Sequence, residues 1–310
     1  MSWILLATIG QFLNAIVAIL DKYIVSDENA LPRPFVYAFY SCLLTGGWAF
    51  IYFIGVIPGL HELGAPSYKE ILVPTLTVVA LSFLAAYTFF MALVSMFSAL
   101  KEADASNVLP IIGSISALAT FGMSYMFLDA SLPANFIWGI TILAAGTLLV
   151  AQTLPKVVVI MHVAHSGLFF GLHAITMKGL FLETSFDDGF FWSRVGFVLF
   201  ALSLLLVPTY YQKITEQTKG TSKKTGVIVL FTKVLAGIAA FLLLKATDLG
   251  EVSVVQALDG IKFVFILVIS FAFAHWLPDS ATDRDTRPGT IFRKLLFVVV
   301  IMVGFFMLFA

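Results

Sequence analysis

The sequence predicts an all-α membrane protein of about ten transmembrane helices, arranged as two inverted five-helix repeats. Three observations predict it. Ten apolar stretches, nearly all long enough to cross a bilayer, fill the 310 residues. Hydrophobic residues make up 60% of the chain and charged ones 12%, and the mean hydropathy is +1.00, well outside the usual soluble range. The two halves of the chain also share landmarks at matching positions.

Windows of about 20 apolar residues place spans near 2–20, 35–57, 71–98, 106–128, 134–151, 157–182, 190–210, 226–244, 252–276 and 292–309. These runs are too long and too uniformly apolar for barrel strands, and hydrocarbon tolerates only internally bonded backbone. Span one has no basic residues before it and ends at Asp21-Lys22 without a small-residue cleavage site, so it reads as an anchor rather than a signal peptide. Spans two and seven finish in aliphatic-Pro pairs, Ile57-Pro58 and Val207-Pro208. The polar segments 211–225 and 278–291 are too short to bury a core, so function must sit inside the bundle. Cys42, the single cysteine, excludes an intrachain disulfide or a thiolate cluster and reads as a small core residue. Eighteen basic residues balance eighteen acidic ones, which implies neither a nucleic-acid footprint nor a polybasic lipid-binding patch.

The halves, 1–153 and 154–310, form one integral membrane domain and align in several places. Ser106–Gly113 in span four matches Ser253–Gly260 in span nine, Lys22 near the end of span one recurs as Lys178 near the end of span six, and Ala145-Gly146 echoes Val303-Gly304. Two similar halves of odd span number must face opposite ways, the inverted repeat by which secondary transporters alternate access around a midplane site.

With the stretch Ala99–Ser106 running into span four and the Gly-containing last helix of each half, these features resemble the drug/metabolite transporter superfamily, closest to its EamA-like ten-helix members. The resemblance implies a carrier whose cavity is lined by the first, third, fourth, sixth, eighth and ninth helices. The chain departs from it where such proteins carry Glu after the fourth and ninth helices: Asp129, and Asp279 or Asp283, stand there instead. The resemblance also implies cytoplasmic termini. The basic residues argue the reverse, with twelve (Lys22, Arg33, Lys101, Lys156, Lys213, Lys219, Lys223, Lys224, Arg284, Arg287, Arg293, Lys294) on one side against Lys69, Lys178, Arg194 and Lys245 on the other.

Intramembrane ionisable groups call for a partner, a wet cavity or a task. In span nine, Ser253, Gln256, Asp259 and Lys262 recur every third residue, and Asp259 and Lys262 are close enough to pair. Lys233 in span eight either lines a cavity or snorkels to the interface. Lys178, Lys245 and Arg194 lie near helix ends, where snorkelling or a topological role is expected. His162, His165 and His173 in span six fall within an arc of about 80°. They are candidates for cavity lining, for proton coupling near neutral pH, or for hydrogen bonding between helices. A metal site is not expected, because no carboxylate or thiolate completes a shell. Gln11 and Asn14 in span one share a side with Asp21. In span four Pro110 cannot donate the bond that would reach Ser106, which makes the neighbourhood of Asn107 a polar contact or a hinge.

The substrate-binding candidates are therefore Asn14, Asn107, His162, His165, His173, Lys233, Gln256, Asp259 and Lys262. They suit a small soluble metabolite, anionic or zwitterionic, held by Lys262 and Lys233. An intramembrane hydrolase built on Ser166 and His162 lacks a carboxylate to orient the imidazole. No nucleotide-binding motif, cofactor or enzymatic activity is expected. The expected function is thus a multi-pass secondary transporter of the plasma or inner membrane, working by alternating access. A lipid flippase or a non-transporting membrane scaffold is the alternative.

Overall fold

Hydrocarbon offers a backbone no partner but itself, and the described residues are largely helical. The computed structural model describes residues 2–28, 30–57, 66–128, 156–272 and 288–307, with scattered positions between 138 and 154. Its helices are α1 (Ser2–Ser26), α2 (Pro34–Ile54, with a 3-10 turn at Gly47–Phe50), α3 (Leu76–Glu102), α4 (Ala105–Phe127), α5 (Val157–Glu183) and α6 (Phe186–Leu204). They continue as α7 (Pro208–Gly220), α8 (Lys223–Leu249), α9 (Val252–Ala257), α10 (Asp259–Ala272) and α11 (Pro288–Met307). Six of them, α1 to α5 and α8, are long and apolar enough to cross a membrane, and α6 with α7 makes a seventh if that bent pair is one span. The chain is an all-helical, multi-pass membrane protein. The expected fifth span, 134–151, falls largely outside the described residues, as do Asp129, Asp279, Asp283, Arg284 and Arg287.

Local sequence sets the helix starts. Thr75 accepts a hydrogen bond from the Val78 amide at 3.3 Å to open α3, and Ser222 accepts from the Thr225 amide at 3.1 Å to open α8. At α6, Ser185 accepts from the Asp188 amide at 3.1 Å and donates its own proton to the Asp188 carboxylate at 2.9 Å. That places Asp187 and Asp188 in the first turn, where the helix dipole favours them. Asp188 also accepts from the Leu72 amide at 2.8 Å, and Trp192 donates to the Leu72 carbonyl at 2.9 Å, so the extended residues before α3 are tied to the start of α6.

Pairwise contacts fix the helix directions. Trp3 lies against Gly250 and Gly10 against Leu243, while Asp21 reaches Lys233, so α1 and α8 run antiparallel. His173 meets Ala85 and Ser166 meets Ala92, so α5 and α3 also run antiparallel. Two lysines tie together the remaining ends. Lys22 near the end of α1 donates to the carbonyls of Leu100 and Ala103 (2.9 Å to the latter) at the end of α3. Lys178 near the end of α5 donates to those of Thr247, Asp248 and Gly250 at 3.0, 3.1 and 3.2 Å at the end of α8. A helix leaves its last carbonyls unsatisfied, and in an apolar surround a cation is a strong answer.

Helix packing in lipid gains nothing from hiding apolar surface, because the tails are as apolar as leucine, and close backbone approach takes over. Gly167 and Gly171 form such a small-residue stripe on α5. A Cβ on Gly167 would stand 2.6 Å from Ile115 and 2.9 Å from the Ile112 carbonyl, and one on Gly171 would stand 2.9 Å from Ala119 and 3.0 Å from the Ser116 carbonyl.

Two expectations are corrected. The segment 211–225, read from sequence as a polar connection, is mostly the helix α7, set at 98° to α6 after Pro208 opens a new first turn. Its Ile214 is buried while most of its polar side chains face out, as befits a helix lying along an interface. The expected ninth span is broken: Leu258 interrupts it between α9 and α10.

Gly171→Val is expected to destabilise the protein by about 1–3 kcal/mol through forced separation of α4 and α5. Thermal denaturation of the purified variant against wild type measures it, and an unchanged midpoint would show that the two helices are free to move apart.

Candidate functional site

Polar side chains from the described helices converge on one cavity of about 220 Å³ at the centre of the bundle. Gln11, Asn14 and Asp21 enter from α1, Ser41 and Thr45 from α2, Ser116 from α4, His173 from α5, and Arg194 from α6. Lys233 and Thr247 come from α8, and Asp259 and Lys262 from α10. Phe89, Leu93 and Met96 of α3 supply an apolar wall with Phe170 and Phe197. The cavity thus draws on α2 and α6 as well as on the helices that the family resemblance implies.

Asp21 and Lys233 are the most deeply placed ion pair. Their charged atoms lie 2.9 Å apart, and the residues are 4% and 3% exposed. The Tyr37 hydroxyl donates to the same carboxylate oxygen. The Lys233 ammonium also sits 4.2 Å from the Tyr37 ring centre and 5.4 Å from that of Phe97, within cation–π range. Lys233 therefore does not snorkel.

Asp259 and Lys262 pair as their spacing predicts, with the ammonium 2.7 and 2.8 Å from the two carboxylate oxygens. The break at Leu258 puts Asp259 in the first turn of α10, where an acid is favoured. Gly113 of α4 lets this pair approach: a Cβ there would stand 2.7 Å from the Asp259 carboxylate and 2.8 Å from the Phe263 ring.

His173 faces the cavity, and its Nδ1, protonated as a carbonyl partner requires, donates to the Ala85 carbonyl at 3.0 Å. The Phe89 ring lies beside it, tilted, with ring centres 5.1 Å apart.

Of the sequence candidates, the structure brings Asn14, His173, Lys233, Asp259 and Lys262 together. It places the others elsewhere. His165 lies on the α3 side of α5, its Nδ1 2.7 Å from the Ser95 hydroxyl and its ring against Phe169, so it joins helices. His162 and Asn107 are not among the lining residues, and each keeps a buried side-chain atom without a hydrogen-bond partner, Nδ1 and Oδ1 respectively. The side chains of Gln256 and Ser253 lie outside the described residues. Ser166, the nucleophile of the hydrolase reading, is buried and gives its proton to the Ala92 carbonyl at 2.9 Å.

Sequence reasoning missed two charged residues of the lining, along with the hydroxyls of Ser41, Thr45, Ser116 and Thr247. Asp21 looked like the end of span one, yet α1 runs on to Ser26 and carries it inside. Arg194 looked like a helix-end cation, but it is 2% exposed and lines the cavity. The signal for Arg194 was its neighbours: Phe190 and Phe197, on the same side one turn before and after, clasp the guanidinium with both ring centres 4.7 Å away.

Asp21→Asn is expected to cost about 3–5 kcal/mol of stability, because it strands the Lys233 charge among aromatic rings. Replacing both partners, Asp21→Asn with Lys233→Met, should recover most of the loss in a double-mutant cycle. Equal loss in the single and double variants would mean that the pair is not coupled.

No family profile and no curated protein matches the chain. Among solved structures 28 chains match. One, described only as "Crystal structure of protein", covers 98% of this chain over 97% of its own length with a TM-score of 0.61 at 13% identity. At that identity the likeness shows a shared fold.

Proposed function

We propose that this chain is a secondary carrier that moves a small metabolite across the membrane by alternating access, built as two inverted five-helix repeats like those of the drug/metabolite transporter superfamily. The observation that carries the reading is the cavity itself, a charge-lined chamber among apolar helices. Charges inside a bilayer are costly and mark substrate or ion paths.

The terminal caps support the repeat. Thr247 and Gly250, which hold Lys178, lie 147 positions after Leu100 and Ala103, which hold Lys22. That offset is the one relating Ser106–Gly113 to Ser253–Gly260. The directions agree as well. α1 and α3 end on the same side of the bundle, α5 and α8 end together, and each first helix is antiparallel to the third helix of the other half. The break at Leu258 adds the discontinuous helix that carriers place at their binding sites. Rocking of one repeat against the other opens the cavity to alternate sides.

A thermal-shift screen of the purified protein against a metabolite library, followed by counterflow of each stabilising compound in proteoliposomes, tests the carrier. Saturable counterflow in wild type is expected, with at least a tenfold loss in Gly113→Ala, whose new methyl displaces the Asp259–Lys262 pair. Stabilisation by lipid alone, with no counterflow, would favour the flippase or scaffold instead.

A further inference from the structure

We infer that Arg194 is the anion-binding residue of this cavity, taking the carboxylate of a small monoanion whose apolar body lies against Phe89 and Phe170. The inference deepens the carrier reading and rests on it for the statement that the anion is cargo.

Every other buried cation described so far has an answer. Lys233 has Asp21, Lys262 has Asp259, and Lys22 and Lys178 have helix-end carbonyls. Among the described residues the Arg194 guanidinium has no ion pair and no hydrogen bond, and its Nε is fully buried without a partner. Leaving a guanidinium unpaired away from bulk solvent is expensive, so an anion completes the site. Three cations and two carboxylates line the cavity, which sets the charge of that anion at one.

The geometry narrows its chemistry. Phe190 and Phe197 flank the guanidinium at 4.7 Å each and leave the edge of its fork for a ligand. Arginine's planar fork matches the two oxygens of a carboxylate. Phe197 is 5.1 Å from Phe89, which is 6.2 Å from Phe170, so an aromatic wall continues from the cation into the cavity. An apolar cavity of about 150 Å³ holds benzene, and about 220 Å³ here holds a ring or short chain together with its carboxylate.

The probes are benzoate and hexanoate, each compared with its own neutral amide. Binding to the full chain in detergent is measured by isothermal calorimetry at fixed ionic strength. In wild type each acid should bind at least about tenfold more tightly than its amide, the scale of a charge-assisted hydrogen-bond pair. Arg194→Gln should abolish the preference, and Arg194→Lys should keep part of it. Equal binding of acid and amide in wild type, no millimolar binding of either acid, or a preference that survives in Arg194→Gln would each overturn the inference. Where Arg194→Gln fails to fold, absence of the preference in wild type still overturns the inference, and Arg194→Lys carries the assignment to this residue. Benzoate counterflow in proteoliposomes separates the two readings. Acid-selective binding without counterflow leaves the anion site standing and removes the carrier, whereas counterflow without acid selectivity does the reverse.

Discussion

The structure depends on a single constraint, that a charge carried into an apolar bundle needs a partner there. Asp21 and Lys233 show how it is met. Two residues 212 positions apart, on helices that run in opposite directions, come within 2.9 Å of each other beside Tyr37 and Phe97. The pair fixes the sliding of α1 along α8, since a shift of one helical turn, about 5.4 Å, would separate the charges in a surround of low dielectric. Because Tyr37 donates to the same carboxylate, α2 is held in the same register. Gly10 against Leu243 adds a close packing contact between α1 and α8 that the same register requires.

The same constraint acts at the helix ends. A helix in the membrane finishes with carbonyls that have no amide to face, and Lys22 and Lys178 bring an ammonium to each such end from a neighbouring helix. Each clamp joins a pair of helix ends, α1 with α3 and α5 with α8. The lengthwise packing runs the other way, α1 along α8 and α3 along α5, and the cavity lies among all four helices. Gly167 and Gly171 bring α4 against α5 at backbone distance.

What could be read from the sequence followed from locality. Hydropathy windows found the long helices because twenty apolar residues are a local property. The Asp259–Lys262 pair was legible because three residues along a helix is a contact in itself. Asp21–Lys233 was not, since no periodicity links positions so far apart in the chain. α7 was missed because its composition is that of a loop, and only the proline at its first turn and the lone buried Ile214 show a helix with one side covered. His162, His165 and His173 were grouped by angle alone. Angle says which way a side chain points but not which neighbour it meets, and α3 receives His165 through Ser95 before the cavity begins. Arg194 was misplaced for a related reason: counting residues from a predicted helix end suggested snorkelling, while the two phenylalanines around it hold it inward.

The arrangement of charge around the cavity is uneven in a way that bears on release as well as on binding. Asp21–Lys233 and Asp259–Lys262 are internally neutral, and each is made by the protein whether or not a ligand is present. The start of α10 adds roughly half a positive charge beside Asp259. Arg194 adds a full one elsewhere in the lining, backed by ring faces rather than by an acid. A carboxylate partner for Arg194 within the protein would neutralise that charge and leave nothing for an anion. A second unpaired cation would hold an anion too firmly to let it go, since each added charge-assisted contact in a dry site multiplies affinity about tenfold or more. One unpaired guanidinium, with two self-contained ion pairs to keep the other charges occupied, is the composition that lets an anion enter and leave again.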